Sequence, residues 1–185
     1  MERDAKATKR RLMEAGRAEF AAHGLNGARV DRIADAARSN KAQIYHYFGN
    51  KAGLFDAVWN ELVEQIVEGV PVDVEDLPGF AAGLSDLYAE YPDMPRIITW
   101  QRLERGDTLN ELGVAEVRAR SAVVAEAQAR GLISTRFEPQ VLFSLLAHVA
   151  MLWAAANPEV LTVMGLEDRA QRRETIRRIA TALVE

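Results

Sequence analysis

Residues 39–48 read Ser-Asn-Lys-Ala-Gln-Ile-Tyr-His-Tyr-Phe. Ile44 and Phe48 are four residues apart, so a helix places both on one apolar face and leaves polar side chains around it. A second short helix is predicted just before this segment, from Val30 to Ala37, where apolar residues recur at helical spacing. A longer helix is predicted ahead of both, from about Ala5 to His23. Three helices in this order, with a three-residue turn between the last two, are typical of a helix-turn-helix.

Several polar side chains in and after this segment suit contacts with double-stranded DNA. Gln43 can offer adenine a bidentate donor and acceptor pair, and Lys41 can donate to guanine or to phosphate. Since phosphate contacts supply much of the affinity and base contacts supply the specificity, the segment predicts a helix that reads DNA. The groups that can donate to the phosphate backbone are those of Tyr45, His46, Tyr47 and Lys51.

The charge of the chain is divided unevenly along its length. The 185 residues carry a net charge of −4. The first 55 residues hold eleven basic and six acidic side chains, a net charge of +5, which leaves −9 for the remainder. A basic N-terminal part joined to an acidic remainder indicates a polyanion-binding module attached to a part with another task.

These N-terminal residues resemble the TetR family of bacterial transcriptional repressors. The resemblance covers about the first third of the chain and rests on Phe20–Gly24, Val30–Ala37, Lys41 with Ile44–Phe48, and Gly49–Phe55. It implies a homodimer of helical subunits, each with an N-terminal DNA-binding domain and a larger C-terminal domain that binds an inducer and forms the dimer. It also implies phosphate contacts at the four residues named above, and base contacts at Asn40, Lys41, Ala42 and Gln43.

The chain departs from the family pattern at two places. Arg29 stands where a hydroxyl residue usually caps the second helix; it cannot cap, but it could donate to a phosphate or reach a base. Arg38 and Ser39 stand where the turn commonly has a glycine followed by a buried aliphatic residue. The expected base contacts next to this turn depend on how tightly it closes.

The helical period continues through the chain, which predicts an all-α protein of about nine helices. Residues 1–50 are expected to form the helix-turn-helix domain, and residues 51–185 the ligand-binding and dimerisation domain. Asn50 is a plausible N-cap for the first helix of the second domain. The six helices predicted there are Lys51 to Glu68, Phe80 to Tyr91, Pro95 to Arg105, Leu112 to Arg130, Pro139 to Ala156 and Glu167 to Val184.

Aromatic and methionine side chains in the C-terminal part could line a cavity for a small apolar effector. The same pattern is typical of an ordinary core. His148 lies in the most apolar helix, where a buried imidazole would orient a ligand, bond to a backbone carbonyl or face a second subunit. The candidate ligand residues are Tyr88, Met94, Trp100, Phe143, His148 and Met151.

The last two predicted helices are the expected dimer element. The helix from Pro139 to Ala156 is apolar nearly all round, so it needs a second buried surface, and two helices from each subunit would form a four-helix interface. The final helix also carries a run of arginines, which is read as a solvated face or, alternatively, as an anion site. Its arginines are Arg172, Arg173, Arg177 and Arg178.

No catalytic or metal-binding constellation emerges from the sequence. The chain has no cysteine, and its three histidines are far apart, so neither a thiol nucleophile nor a close histidine ligand pair exists. No cofactor and no membrane span are expected, and the cytoplasm is the expected compartment. The sequence therefore favours a repressor that binds a palindromic operator and responds to a ligand. A constitutive or protein-regulated DNA-binding factor, or a helical enzyme, is the alternative.

Overall fold

A computed structural model describes residues 2–165 and 168–185, with side chains from residue 4 onward. The described residues form eleven α-helices and no β-strand, as the all-α prediction requires. None of these helices is long and apolar enough to cross a membrane. The helices are α1 (Glu2–Gly27), α2 (Val30–Ala36), α3 (Lys41–Phe48), α4 (Lys51–Gly69), α5 (Leu77–Glu90), α6 (Asp93–Arg105), α7 (Glu111–Ala129), α8 (Pro139–Ala150), α9 (Leu152–Ala155), α10 (Pro158–Met164) and α11 (Arg169–Val184).

Two differences raise the helix count above the predicted nine. The long helix expected from Pro139 breaks at Met151, which separates α8 from α9. The segment expected to separate the last two helices contains α10, which begins with Pro158 at its first position, where the missing N–H costs nothing. Glu167, the predicted start of the last helix, lies outside the described residues; Asp168 caps α11 by accepting from the Ala170 N–H.

By packing, the chain groups into two compact units. One unit contains residues 1–64 and 93–109, and the other contains residues 65–92 and 110–185. The first unit therefore holds α1 to α3, most of α4 and the whole of α6. The expected functional boundary at residue 50 stays a prediction, because it concerns DNA and ligand binding rather than packing.

The core of the first unit fixes the position of the recognition helix. Ile44 of α3 is fully buried together with Ile33 of α2 and Phe20 of α1. Phe20 packs edge-to-face on Phe55 of α4, with ring centroids 5.0 Å apart. A fully buried side chain of this size contributes about 1.5–3 kcal/mol, so the burial of Ile44 makes a large contribution to holding α3 in place.

Helix α1 is kinked at Gly24 rather than ended there. Gly24 has φ 68° and ψ −177°, a conformation essentially restricted to glycine, and one short helical stretch follows it. A Cβ at this position would lie 2.8 Å from the Trp100 ring. Glu104 accepts hydrogen bonds from the Leu25 and Asn26 N–H groups at 2.6 and 3.0 Å, so α6 supplies the cap for the stretch after the kink.

Glu19 of α1 compensates for the missing cap of α2. Arg29 occupies the N-cap position with extended backbone and no side-chain cap bond, as the sequence predicts. Its own N–H donates to Glu19 Oε1 at 2.9 Å, and Arg32 Nε donates to the same oxygen at 2.7 Å. Burial raises the pKa of Glu19, but these hydrogen bonds and the Arg32 charge outweigh it and hold the pKa below its usual value.

Helix α2 ends in a Schellman motif in which Arg38 takes the position that glycine usually fills. The Ser39 N–H donates to Ala34 O at 2.9 Å, and the Arg38 N–H donates to Asp35 O at 3.0 Å. Arg38 has φ 50° and is the one non-glycine residue with positive φ in the described part of the chain. The turn therefore closes without the family's glycine, at the expense of some backbone strain.

The second unit is built around α5, α8 and α11. Leu84 of α5, Leu142 and Leu146 of α8, and Ile176 and Ala180 of α11 are buried there.

Two of the four arginines of the α11 run are paired with carboxylates of the same unit. Arg173 pairs with Asp86, and Arg177 donates to both oxygens of Asp76 at 2.8 and 3.1 Å. These bonds tie the acidic start and the middle of α5 to α11. The alternative of an anion site does not fit Arg173 and Arg177, which already have carboxylate partners, and it stays untested for Arg172 and Arg178.

We expect Glu19→Gln to lower the free energy of unfolding at pH 7 by about 1 kcal/mol, since the charged acceptor for two hydrogen bonds is lost. Because the folded pKa is lowered, the contribution of Glu19 is complete above the unfolded pKa of about 4.3 and is lost as pH falls through the folded pKa. Urea unfolding of the wild type should therefore lose stability more steeply below about pH 4.3 than unfolding of the variant. Glu14→Gln is the matched control, because Glu14 is exposed on the same helix and pairs only with Arg10; equal losses for both variants would contradict the role of Glu19.

We expect Arg38→Gly to raise the free energy of unfolding by about 1 kcal/mol, because glycine adopts the left-handed region without the steric penalty. Ala18→Gly, at an exposed position inside α1, should have the opposite sign and a similar size. Chemical denaturation of the two variants measures both effects. A destabilised Arg38→Gly protein would mean that the arginine side chain, not the backbone, dominates at this turn.

Candidate nucleic-acid interface

Helix α3 begins at a well-formed cap and is held by one buried residue. The side chain of Asn40 accepts from the Gln43 N–H at 3.1 Å, which satisfies a backbone donor that the first turn leaves free. Ile44 turns toward the core. The Asn40 cap therefore fixes where α3 begins, and the burial of Ile44 against α1 and α2 fixes its rotation.

The predicted DNA contacts of α3 lie mainly on its outer face. Lys41, Ala42, Tyr45 and His46 are exposed, and their spacing of one, four and five residues places them on one side of the helix. Tyr45 keeps 53% of its surface exposed. Gln43 and Tyr47 are half-buried beside this face, so the structure brings six of the nine predicted residues together on one short helix.

Two of the predicted base contacts have partners within the chain. Asn40 uses its side-chain oxygen in the cap of α3, which leaves its amide N–H groups as donors. Lys41 forms an ion pair with Asp31 of α2, and both side chains are about half exposed. Such an exposed pair is worth at most about 1 kcal/mol, so a phosphate or a base can replace Asp31 at little expense.

Lys51 and Arg29 lie next to α3, and the Lys51 side chain also donates hydrogen bonds to backbone carbonyls. Lys51 Nζ donates to Ala28 O at 2.8 Å and to Asn26 O at 3.3 Å, which ties the start of α4 to the end of α1. An ammonium group has three donors, so one remains for a phosphate. Arg29 is exposed at the start of α2. The roles of all nine residues toward DNA stay predictions.

Sequence reasoning missed two carboxylates that position this face, Glu19 and Glu104. The missing cap at Arg29 is the one signal in the sequence that another acceptor must be present, since an unsatisfied N–H is costly. Glu104 lies 78 and 79 residues from the N–H groups it accepts, and no local pattern indicates such a pair.

Helix α6 is fastened to α1 and α4 by polar bonds. Arg17 pairs with Asp93, Arg96 donates to Ala21 O at 2.8 Å, and Arg105 pairs with Asp56. Two candidate ligand residues belong to this helix: Met94, which is fully buried, and Trp100, whose ring covers Gly24. Both therefore contribute to the packing of the unit that carries α3.

The other four candidate ligand residues belong to the second unit. Tyr88 and Phe143 are buried, and Met151 is half-buried at the break after α8. His148 is exposed in the single chain, on the side of α8 opposite the buried leucines, which corrects the expectation of a buried imidazole. Of the three roles expected for it, the bond to a backbone carbonyl is present, since its Nδ1 is 2.7 Å from Ser144 O. The six candidates do not form one cluster within either unit. The described residues also hold no group of side chains arranged to bind a metal ion.

Comparison with known proteins places the chain in one family. Residues 12–58 match the model of the bacterial regulatory proteins of the tetR family, and residues 76–181 match that of the tetracyclin repressor-like C-terminal domain. The HTH-type transcriptional repressor SCO4008 of Streptomyces coelicolor is 37% identical over 99% of this chain and 98% of its own length.

Solved structures show the same fold. The crystal structure of SCO4942 from Streptomyces coelicolor has a TM-score of 0.85 at 34% identity and covers 96% of this chain and 98% of that one. AibR, solved with isovaleryl coenzyme A and operator DNA, has a TM-score of 0.71 at 18% identity and covers 93% of this chain and 97% of that one. The matches over both halves and the close relative together show that the chain belongs to the TetR family of bacterial transcriptional regulators.

Proposed function

We propose that the chain is a repressor that binds a palindromic operator as a homodimer and is released when a small, mostly apolar effector binds its C-terminal part. The observation that carries the proposal is the outer face of α3, where Lys41, Ala42, Tyr45 and His46 are exposed together on a capped and anchored helix. Such a face suits the major groove, whose base edges offer the donors and acceptors that these side chains need.

Release by an effector requires differential affinity. The effector must bind more tightly to a conformation whose recognition helices no longer match successive major grooves, about 34–36 Å apart. The chain passes between the two units three times: inside α4 after Glu64, before Asp93, and after Leu109. Both ends of α6 are thus connected to the second unit, while its side chains are bonded to α1 and α4.

The proposed dimer is supported by apolar side chains left exposed in the second unit. Val141 of α8 and Val160 of α10 are about half exposed, and Val163 of α10 is 87% exposed. In α11 the apolar residues Ile176 and Ala180 are buried within the same subunit. We therefore expect α8 and α10 to contribute more to the interface than α11 does.

We expect Val163→Lys to convert the dimer into a monomer at micromolar concentration, because a charge would be buried in an apolar interface. Sedimentation equilibrium measures the change, and specific DNA binding should fall with it. Leu132→Lys is the control, since Leu132 is 47% exposed outside α8 to α11. An unchanged dimer in the Val163 variant would exclude α10 from the interface.

If Gln43 contacts a base, its replacement should lower the affinity for DNA by an amount that depends on the DNA sequence. Gln43→Ala should cost about 1–3 kcal/mol on the preferred duplex and relax the preference at one base step, whereas Tyr45→Phe should weaken binding to all duplexes alike. Titration of duplexes from the promoter region of the gene itself and of random duplexes, at fixed salt, separates the two effects. Arg178→Ala, at an exposed position of α11, is the control. A wild-type protein without preference for any promoter duplex would refute the proposed repressor function, and a sequence-independent loss in the Gln43 variant would refute base reading by Gln43.

A further inference from the structure

Arg120 of α7 is a buried cation without a carboxylate partner. Its side chain is 8% exposed, and within the described residues no carboxylate lies at ion-pair distance from it. Its Nη2 donates to Ile66 O at 3.3 Å, and its guanidinium carbon lies 5.4 Å from the centroid of the Phe80 ring. In the same unit, by contrast, Arg130 and Arg177 each pair with a carboxylate while far more exposed.

This burial is expensive for the folded chain. A guanidinium has five N–H donors and stays charged, and one long hydrogen bond and one aromatic face use only part of that capacity. Loss of hydration lowers the pKa of Arg120, while the charges of Glu116, one turn earlier on α7, and of Tyr88 act in the opposite direction. Glu116 acts only through space, because it does not reach ion-pair distance. Because a buried charge without a counter-charge is unfavourable, a negatively charged ligand would stabilise this arrangement.

Two hydroxyl groups of α5 also lack hydrogen-bond partners among the described residues. Tyr88 is 6% exposed, and its burial raises its pKa to about 12 in spite of the Arg120 charge, so the hydroxyl is a proton donor at neutral pH. Ser85, one turn earlier on the same helix, is 7% exposed. Neither hydroxyl has a hydrogen-bond partner in the described part of the chain.

These unpartnered groups are not completely sealed within the unit. The fully enclosed polar side-chain atoms without a partner, in the described residues, are Trp59 Nε1 and Gln101 Oε1 of the first unit. The free donors of Arg120, Tyr88 and Ser85 are not among them, so these donors are nearly but not fully enclosed. Two buried aromatic rings lie beside the guanidinium: Phe80, which Arg120 faces, stacks on Phe143 with ring centroids 5.9 Å apart.

We propose that Arg120 anchors the carboxylate of an apolar carboxylic acid, with Tyr88 donating a second hydrogen bond and the Phe80 and Phe143 rings receiving the apolar body. A carboxylate can accept two parallel N–H bonds from a guanidinium, a strong and directional arrangement. The inference rests on the proposed function, which supplies the effector, and it narrows that effector from a mostly apolar molecule to an apolar anion. His148 takes no part, because it is exposed and bonded to its own helix.

The test uses the full-length protein and two matched pairs of probes: octanoate with 1-octanol, and benzoate with benzyl alcohol. Binding is measured as the rise in Tm with probe concentration, since a ligand that binds only the folded state stabilises it by mass action. We expect at least one carboxylate to raise the Tm well above its neutral counterpart. Equal shifts within both pairs, or no shift with any probe, would overturn the proposal.

Three variants assign the effect to the anchor. Arg120→Met should weaken binding of the active carboxylate at least about thirtyfold, and Tyr88→Phe, which removes one hydroxyl, up to about tenfold. Arg118→Met, at an exposed position of the same helix, should change nothing. Without ligand, Arg120→Met should melt at or above the wild-type Tm, because an unpaired buried charge is replaced by apolar atoms. A lower Tm in that variant, or retained carboxylate binding, would show that the arginine is only structural.

Binding of promoter duplexes keeps the two proposals separate. Arg120→Met without ligand should bind such duplexes as the wild type does, because no DNA contact is predicted for α7. Specific DNA binding without carboxylate binding would overturn the anchor and leave the repressor. Carboxylate binding without specific DNA binding would overturn the repressor and leave the anchor.

Discussion

The presentation of α3 depends on the way α6 completes the broken hydrogen-bond ladder of α1. At Gly24 the backbone of α1 leaves the helical region, so the groups on either side lose their partners. Arg96 donates to Ala21 O before the kink, and Glu104 accepts from two N–H groups after it. The Trp100 ring approaches so closely that only glycine fits at the kink. Removal of α6 would leave these backbone groups without their partners, and therefore α6 belongs structurally to the unit that carries α3.

The end of α1 then sets the position of the two helices around α3. Glu19, on the last regular turns of α1, holds the start of α2 through the Arg29 N–H. Lys51 bonds to the carbonyls of Asn26 and Ala28 and so holds the start of α4. A shift of the stretch beyond Gly24 would move the carbonyls that hold Lys51, whereas the Glu19 carboxylate that holds α2 belongs to the regular part of α1 before the kink. The proposed release of DNA needs only such a shift, because the interaction of α3 with bases is sensitive to its position in the groove.

Local features could be predicted from the sequence, and long-range pairs could not. The predicted cap at Asn50 is confirmed, since its Oδ1 accepts from the Gly53 N–H at 2.9 Å. The order of the helices in the DNA-binding part is likewise confirmed. The bond between Arg177 and Asp76 spans 101 residues; in sequence Arg177 looks like any charged residue on a helix surface, and Asp76 like any acidic residue of a loop.

The candidate ligand residues also show that a sequence pattern indicates which residues face inward but not which residues they contact. Apolar periodicity indicates that Trp100 is an inward-facing residue of a helix, but it does not say against which helix it packs. Gly24 could have suggested the answer, because an internal glycine in a helix often marks a close approach. The sequence pattern does not indicate that Arg120 is buried, because an arginine in a helix of mixed polarity is normally solvated. Only its burial in the structure separates it from its neighbours.

If Arg120 binds a carboxylate, the chain recognises two kinds of anion, the DNA phosphates and that carboxylate, in environments that screen charge to different extents. The first 55 residues carry +5, and their exposed lysines and arginines attract phosphates through water, where salt screens the interaction. The remaining residues carry −9, which repels an anionic effector at long range. Arg120 acts in the opposite way, because its field is strong only within a desolvated site and is little affected by salt. A carboxylate held there does not compete with DNA for the basic surface. DNA and effector can therefore influence each other only through the conformation of the chain, which is the condition for an allosteric repressor.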